Sequence, residues 1–400
     1  MKIPELLLPA GDPEKLKTAL LYGGDAYYIG GTNFSLRTAS KNFTIADIKD
    51  AVKIVHAKNK KLYLALNIFP HEYDFKELEN YLKQISDIEI DALIISDFGI
   101  LSLIKELGLN IPIHISTQAN ILNHYAINFV KDLGVKRVIL ARELCFDELK
   151  TLRKKCPEIE LEVFVHGAMC MSYSGRCLLS LYLNNRDANK GDCSQPCRWK
   201  YSIIEEKRPG IEFPIHEEEG GTYILNSKDL CLIKYLDKIA NIGIDSIKIE
   251  GRVKSEYYIA VIARVYKDAL SLLHKENNNY IVPEEWLEEL NNISHRPYTT
   301  GFFHGYNEDI MHYESSSYIR NTQVLGKIIG NSNGNSLVEV KNNILLDDAL
   351  EIFSPQGSFL EKIRRITIEG KEVEKVTNQK TAEILFSRNY PPGSFIRKKI

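Results

Sequence analysis

This 400-residue sequence predicts a (β/α)8 barrel, interrupted late by a cysteine-rich insertion and followed by a small β-domain. Three observations carry that fold class. Short β-rich apolar runs alternate with helical patterns over the first 252 residues, and each run turns polar or glycine at its C-terminal end. The alternation then breaks, after the seventh run, for more than fifty residues.

Taken in order, the runs are Glu5 to Ala10, Ala26 to Gly30, Lys61 to Asn67, Ala92 to Asp97, Pro112 to Thr117, Arg137 to Arg142, Leu161 to Gly167 and Ser246 to Arg252. Between them Pro13 to Tyr22, Ile45 to Lys58, Phe75 to Ile85 and Ile121 to Leu133 repeat apolar residues at three and four, as helices packed on a sheet require. The run ends Pro9-Ala-Gly11, Gly30-Gly31, Asn67, Ser96-Asp97, Ser116-Thr-Gln118, Arg142-Glu143, His166-Gly167 and Glu250-Gly-Arg252 would form one face of a barrel. That is the face on which barrel enzymes carry their chemistry. A doubly wound open sheet, whose strands also end polar, is the alternative.

The interruption spans Ala168 to Gly221, where Trp199 to Glu206 and Thr222 to Asn226 could pair as a hairpin. The predicted domains are residues 1–275, the barrel with insertion 168–221; residues 276–322, a connector; and residues 323–400, a C-terminal β-barrel. The last rests on short strands at Val324 to Ile329, Ser336 to Val340, Ala349 to Phe353, Ile363 to Ile368, Thr381 to Leu385 and Phe395 to Arg397, separated by turn residues.

Composition excludes whole classes of function. With 44% hydrophobic and 26% charged residues the chain is globular, and no stretch approaches the ~20 apolar residues of a membrane span. The start, Met1 to Pro9, lacks the basic and apolar regions of a signal peptide, so the expected location is cytoplasmic. Because 51 Lys and Arg nearly cancel 53 Asp and Glu, a nucleic-acid partner would need a local basic surface. Near the mouth Arg198, Lys200, Lys248, Arg252 and Lys254 could supply one, as could Arg397 to Lys399; Lys58, Lys60 and Lys61 fall on the other face.

Of seven cysteines, Cys170, Cys177, Cys193 and Cys197 crowd into 28 residues of the insertion. In a reducing compartment such crowding points to metal or catalysis, and four thiolates suit zinc or an iron–sulfur cluster. Paired CxxC knuckles are absent, and Lys200 stands where the third cysteine of a CxxxCxxC triad would be. His71-Glu72, His216-Glu217 and Ser174-Gly175 complete no hydrolase motif, and neither a P-loop nor GxGxxG occurs. A cysteine nucleophile paired with His166 stays open.

At Glu162-Val-Phe-Val-His-Gly-Ala-Met-Cys-Met-Ser-Tyr-Ser-Gly-Arg-Cys177, through Asn185-Arg-Asp187 to Gly191-Asp-Cys193-Ser-Gln-Pro-Cys197-Arg-Trp199, the chain resembles the peptidase U32 family. Glu5-Leu-Leu-Leu-Pro-Ala-Gly11, Asp25-Ala-Tyr-Tyr-Ile-Gly30, Asn226-Ser-Lys-Asp229 and Ser246-Ile-Lys-Ile-Glu-Gly-Arg252 extend the resemblance across the barrel region. The resemblance, with the C-terminal β-domain, implies the branch that hydroxylates tRNA without oxygen, making 5-hydroxyuridine at wobble position 34 in a prephenate-dependent way. It implies a [4Fe-4S] cluster on Cys170, Cys177, Cys193 and Cys197, with Cys231 a competitor for the last place. Cys145 and Cys156 match no ligand position. The alternatives are a collagenase-like peptidase and a cluster-bearing RNA-binding subunit.

The outlined mechanism places the cluster beside His166, Glu250 and Arg252, which are the expected catalytic residues, next to a pocket for a small anionic co-substrate and a flipped-out base. His166 is the acid/base candidate, or else a core histidine bonded to backbone. Arg176 and Arg252 could grip carboxylates, or form structural salt bridges with Glu250 or Asp187. Asn67 and Gln118 could bind substrate or pack the rim, and Tyr173, beside Trp199, could stack a base or shield the cluster. Partners beyond tRNA would be a second protein or another copy of the chain.

Overall fold

The computed structural model describes residues 2–36, 41–170, 172–173, 177–199, 227–276, 279–305, 318–378 and 380–400. Two compact units emerge: Met1–Lys254 with Tyr266–Val282 and Arg296–Tyr318, and Ser255–Val265 with Pro283–His295 and Ile319–Ile400.

The first unit is the barrel. Its strands are β1 (Glu5–Pro9), β2 (Ala26–Gly30), β3 (Lys61–Leu66), β4 (Ala92–Ile95), β5 (Ile113–Ile115), β6 (Arg137–Ile139) and β7 (Glu160–Ala168), then β8 (Asp229–Cys231) and β9 (Ser246–Ile249). β1 to β7 pair in sequence and in parallel, and β9 pairs in parallel with both β7 and β1, closing eight strands into a ring. The open sheet is thereby excluded. β8 stands outside the ring, antiparallel to the end of β7, with His166 opposite Cys231. It follows the insertion and lies outside the strand–helix alternation, so the sequence pattern did not mark it.

Helices follow the strands on apolar inner faces, and several of them start at a side-chain cap. In α1 (Pro13–Tyr22) the Asp12 carboxylate accepts from Lys15 N at 2.9 Å and proline occupies the first turn, where its missing N–H costs nothing. In α2 (Ile45–His56) Thr44 and Asp47 form a capping box, and Ile48, Ala51, Val52 and Val55 are buried. Asp97, one of the polar strand ends, caps α4 (Phe98–Glu106) through Gly99 N and Ile100 N. α9 (Glu256–Glu276) follows β9.

Beyond β7 the chain forms a short helix, α7 (Leu179–Asn184), and 3-10 turns at Ala188–Lys190 and Pro196–Arg198. The expected hairpin of Trp199 to Glu206 with Thr222 to Asn226 lies outside the described residues except for Trp199. Arg296, buried, grips Asp229 of β8 through Nε at 3.0 Å and Nη2 at 2.7 Å.

The second unit holds α10 (Glu284–Asn291) and an antiparallel sheet in which β11 (Thr322–Ser332) pairs with β12 (Asn335–Val340) and with the final strand, Phe395–Lys399. Leu325, Ile328, Val338, Ile352, Ile366, Ile384 and Ile396 share one core. The strands Gly357–Lys362 and Lys371–Glu372, unforeseen in the sequence, extend the sheet to eight. Their polar composition hid them.

Candidate functional site

At the C-terminal ends of the barrel strands lies a small polar cavity of about 40 Å3. Asn67, Gln118, Glu250 and Arg252, four of the residues expected from sequence, line it together with Tyr28, Ser116, Phe164 and Lys248. They meet because alternate residues of a strand share a face: Lys248, Glu250 and Arg252 point inward while Ile247 and Ile249 pack outside, both fully buried. The same two-residue rhythm, Lys-x-Glu-x-Arg, was the signal in the sequence that would have placed Lys248 in the site.

Hydrogen bonds fix the cavity wall. Asn67 Oδ1 accepts from Leu36 N at 3.2 Å, and Asn67 Nδ2 donates to Gln118 Oε1 at 3.3 Å, which also accepts from Ser116 Oγ. Arg252, nearly buried, lies against Gly30: a Cβ there would sit 1.8 Å from its Nη1. Glu250 faces Arg142 Nη2 at 3.5 Å, and the Arg142 guanidinium stacks 4.0 Å over Phe164 while donating to Ala168 O at 2.8 Å. Arg142 is thus a partner of Glu250 that sequence reasoning did not single out.

Below the cavity the barrel is filled by charge. Arg137 Nη1 contacts Glu5 Oε1 at 2.6 Å and Glu162 Oε2 at 3.0 Å, and Glu162 Oε1 lies 3.3 Å from Lys248 Nζ. Tyr63 donates to Glu5 at 3.0 Å, and the buried His114 ring packs edge-on against Tyr63. Burial pushes the Lys248 ammonium below its usual value against the opposing pull of Glu162 and Glu250, whereas the Arg137 cation, though buried, is held charged by Glu162 and Glu5. A buried charge needs a hydrogen-bonded partner, so these residues form one linked chain.

His166 sits elsewhere. Its Nδ1 is 3.2 Å from Tyr266 OH and its ring packs between Tyr266 and Tyr298, and it does not line the cavity. Cys231 shares that environment: burial pushes its thiol up to about 11, against a hydrogen bond with Tyr266. Cys145 and Cys156 cap the two ends of α6 (Phe146–Lys155).

The four crowded cysteines form a separate neighbourhood. Burial pushes the Cys197 thiol up to about 11, and Cys170, Cys193 and Cys177 add to the rise because each is near enough to disfavour a second negative charge. Among the described residues no trio of His, Cys, Asp or Glu stands at ligand spacing for a metal ion. Four cysteines on one segment nevertheless supply the soft sulfur donors that an iron–sulfur cluster takes.

This segment is docked at the cavity's edge. Phe69 N, two residues beyond Asn67, donates to Asn189 O at 3.3 Å; Asn189 Nδ2 donates to Cys177 O at 3.1 Å; and Lys190 Nζ meets Asp74 at 2.7 Å. Tyr173 is 58% exposed and Trp199 43%, so both present ring surface to solvent. Arg176 and Lys200 lie outside the described residues.

The basic residues expected to line an RNA path divide. Arg198 is tied to Gln195 Oε1 at 2.5 Å and Tyr318 OH at 3.2 Å, and Lys254 Nζ lies 4.5 Å from the Tyr318 ring centre. Lys248 and Arg252 are interior. Arg397, 2% exposed, is taken by Glu289 at 2.6 Å and Glu351 at 2.7 Å, so the expected surface role fails for it: in a strand whose neighbour Ile396 enters the core, Arg397 faces α10 and Tyr257. Lys398 pairs with Asp348.

Fold and site together define a barrel protein with a small charged and polar cavity inside its mouth and a four-cysteine segment at the rim. Residues 11–313 match peptidase family U32 and residues 320–397 match the peptidase family U32 C-terminal domain. The chain belongs to the peptidase U32 family. It is 37% identical to "tRNA hydroxylation protein P" of Haemophilus influenzae, covering 91% of this chain and 88% of that protein. It is 35% identical to "tRNA hydroxylation protein P1" of Bacillus subtilis, covering 99% and 95%. A "Collagenase" of Porphyromonas gingivalis is 30% identical over 97% of this chain and 96% of that protein.

Proposed function

We propose that the protein is a tRNA-hydroxylating enzyme that forms 5-hydroxyuridine at wobble position 34, with a [4Fe-4S] cluster held by Cys170, Cys177, Cys193 and Cys197 and prephenate as a small anionic co-substrate. The observation that carries the reading is the docking of the four-thiol segment, through Asn189, onto the loop that follows Asn67 of the cavity. Similarity to two tRNA hydroxylation proteins over most of the chain supports the substrate class.

A bound cluster supplies one-electron chemistry. The chain's own residues do the rest. Arg252 and Lys248 attract an anion into the cavity, Asn67 and Gln118 orient it by hydrogen bonds, and the Glu250 carboxylate, beside Arg142, is the ionisable group placed to accept a proton. Exposed Tyr173 and Trp199 offer faces on which a base can stack before it enters. The name of the Porphyromonas relative supports a second reading, peptidase. The Cys231 thiol near His166 makes a poor nucleophile for it, because burial keeps the thiol protonated.

Anaerobic purification tests the cluster: the protein is expected brown with about four irons per chain, and Cys177→Ala colourless. A zinc protein overturns it. Nucleoside analysis of tRNA from a strain lacking the protein should show 5-hydroxyuridine derivatives lost, and unchanged levels remove the assignment.

A further inference from the structure

The small cavity and the cysteine segment lie at the mouth of the barrel. At the other end is a groove of about 1070 Å3, where the strands begin. Leu6 of β1, Asp25 just before β2 and Lys60 just before β3 line it, with Leu20 and Leu21 of α1, Ile54 of α2 and Leu270 of α9. All of its lining belongs to the first unit. Two helix stripes form the sides, because residues three and four apart share a face: Lys17, Leu20 and Leu21 on α1, and Lys267, Leu270, Ser271 and His274 on α9. Leu21 is 41% exposed and Ile54 37%, so the apolar floor is open to solvent.

The charges along the edges have one sign. Lys17, Lys58, Lys60, Lys267 and Lys275 line the groove against one carboxylate, Asp25, which Lys60 holds at 2.8 Å. Lys17 is taken by Glu14 at 2.7 Å. Among the described residues Lys58, Lys267 and Lys275 form no ion pair. Cations near the C-terminal end of a helix are ordinary. A contiguous apolar floor between two rows of them is the pattern of an interaction surface.

We propose that this groove receives an acidic amphipathic helix of a partner protein, its apolar stripe on Leu20, Leu21, Ile54 and Leu270 and its carboxylates on Lys58, Lys267 and Lys275. A helix fits the shape: from Lys267 to Lys275 the α9 side rises about 12 Å, a little over two turns, which takes anchors at i, i+3 or i+4 and i+7. A polyanion without apolar groups would leave the floor uncovered, and a neutral apolar helix would leave the three lysines unanswered. Because the groove is at the end opposite the mouth, its occupant leaves the cavity and the cysteine segment accessible. The inference does not depend on the tRNA reading.

Fluorescence anisotropy on the full chain tests this with a labelled synthetic helix of about 14 residues, leucines on one face and glutamates flanking them, and with the same helix carrying lysines for the glutamates. The acidic helix is expected to bind at least about tenfold more tightly at low salt, and the difference should narrow as salt rises. Leu21→Glu, at an exposed position, and Lys267→Glu should each weaken the acidic helix by at least about fivefold with the thermal unfolding of the protein unchanged. Equal binding of the two helices, no binding of the acidic one, or unaltered affinity in both variants overturns the proposal. Two other results overturn it by naming a different occupant. A dimer in sedimentation that Leu21→Glu dissociates puts a second copy of the chain in the groove, and flotation with phosphatidylglycerol vesicles that the same variant abolishes puts a lipid surface there.

Discussion

Gly30 ends β2 without a side chain, and the space its Cβ would fill belongs to Arg252: Nη1 at 1.8 Å and Cζ at 2.9 Å, with Ser35 Oγ at 2.5 Å. The obstruction is the tip of a flexible side chain, so Gly30→Ala is expected to displace the guanidinium and leave the barrel intact, at about 1–3 kcal/mol of stability. Arg252 is an anchor of the proposed pocket, so tRNA from cells carrying Gly30→Ala should contain at least about tenfold less 5-hydroxyuridine. Nucleoside analysis and thermal unfolding of the same variant check both halves. Undiminished modification would mean that the Arg252 position is irrelevant to turnover. The sequence marked both residues as polar or glycine strand ends, yet it held no sign that one makes room for the other, since they are over two hundred positions apart.

At the scale of elements, period and strand ends made the barrel legible: all eight ring strands appear in the sequence as β-rich runs, because a strand covered by helices on its outer face must be apolar there. What stayed hidden was the inner face. Glu5, Arg137, Glu162 and Lys248 sit in those same runs and look like boundary residues until ring closure brings them together. The final strand misled for the same reason. Arg397 to Lys399 has the look of a solvated basic tail, and only the pairing of Phe395–Lys399 with β11 and with Ala349–Ser354 turns Arg397 inward to Glu289, Glu351 and Tyr257. Arg397→Met leaves two carboxylates without their cation and should cost the second unit about 3–5 kcal/mol in urea unfolding. RNA binding lost without a loss of stability would return Arg397 to the nucleic-acid surface.

For the molecule as a whole, the charged barrel interior sets a dependence on pH. His114 is buried against Tyr63, and its protonation is held well below the ordinary imidazole value first by burial and then by the nearby cations Arg137, Lys248 and Lys61. In the unfolded chain the same ring titrates near about 6.5. Below that pH the unfolded state binds a proton that the folded state refuses, so the stabilisation present at pH 7.5 drains away as pH falls; the loss reaches about 1.4 kcal/mol at pH 5.5 for this group alone. His114→Gln keeps an amide in the same space and removes the titration. Urea unfolding of the full chain at pH 7.5 and 5.5 should show the unaltered protein losing more stability than the variant by roughly that amount. The difference between the two slopes isolates His114 from the other histidines common to both chains. Identical slopes would mean that the ring is protonated inside the folded barrel, in which case Glu5 and Glu162 hold one more cation than the ion chain described above contains.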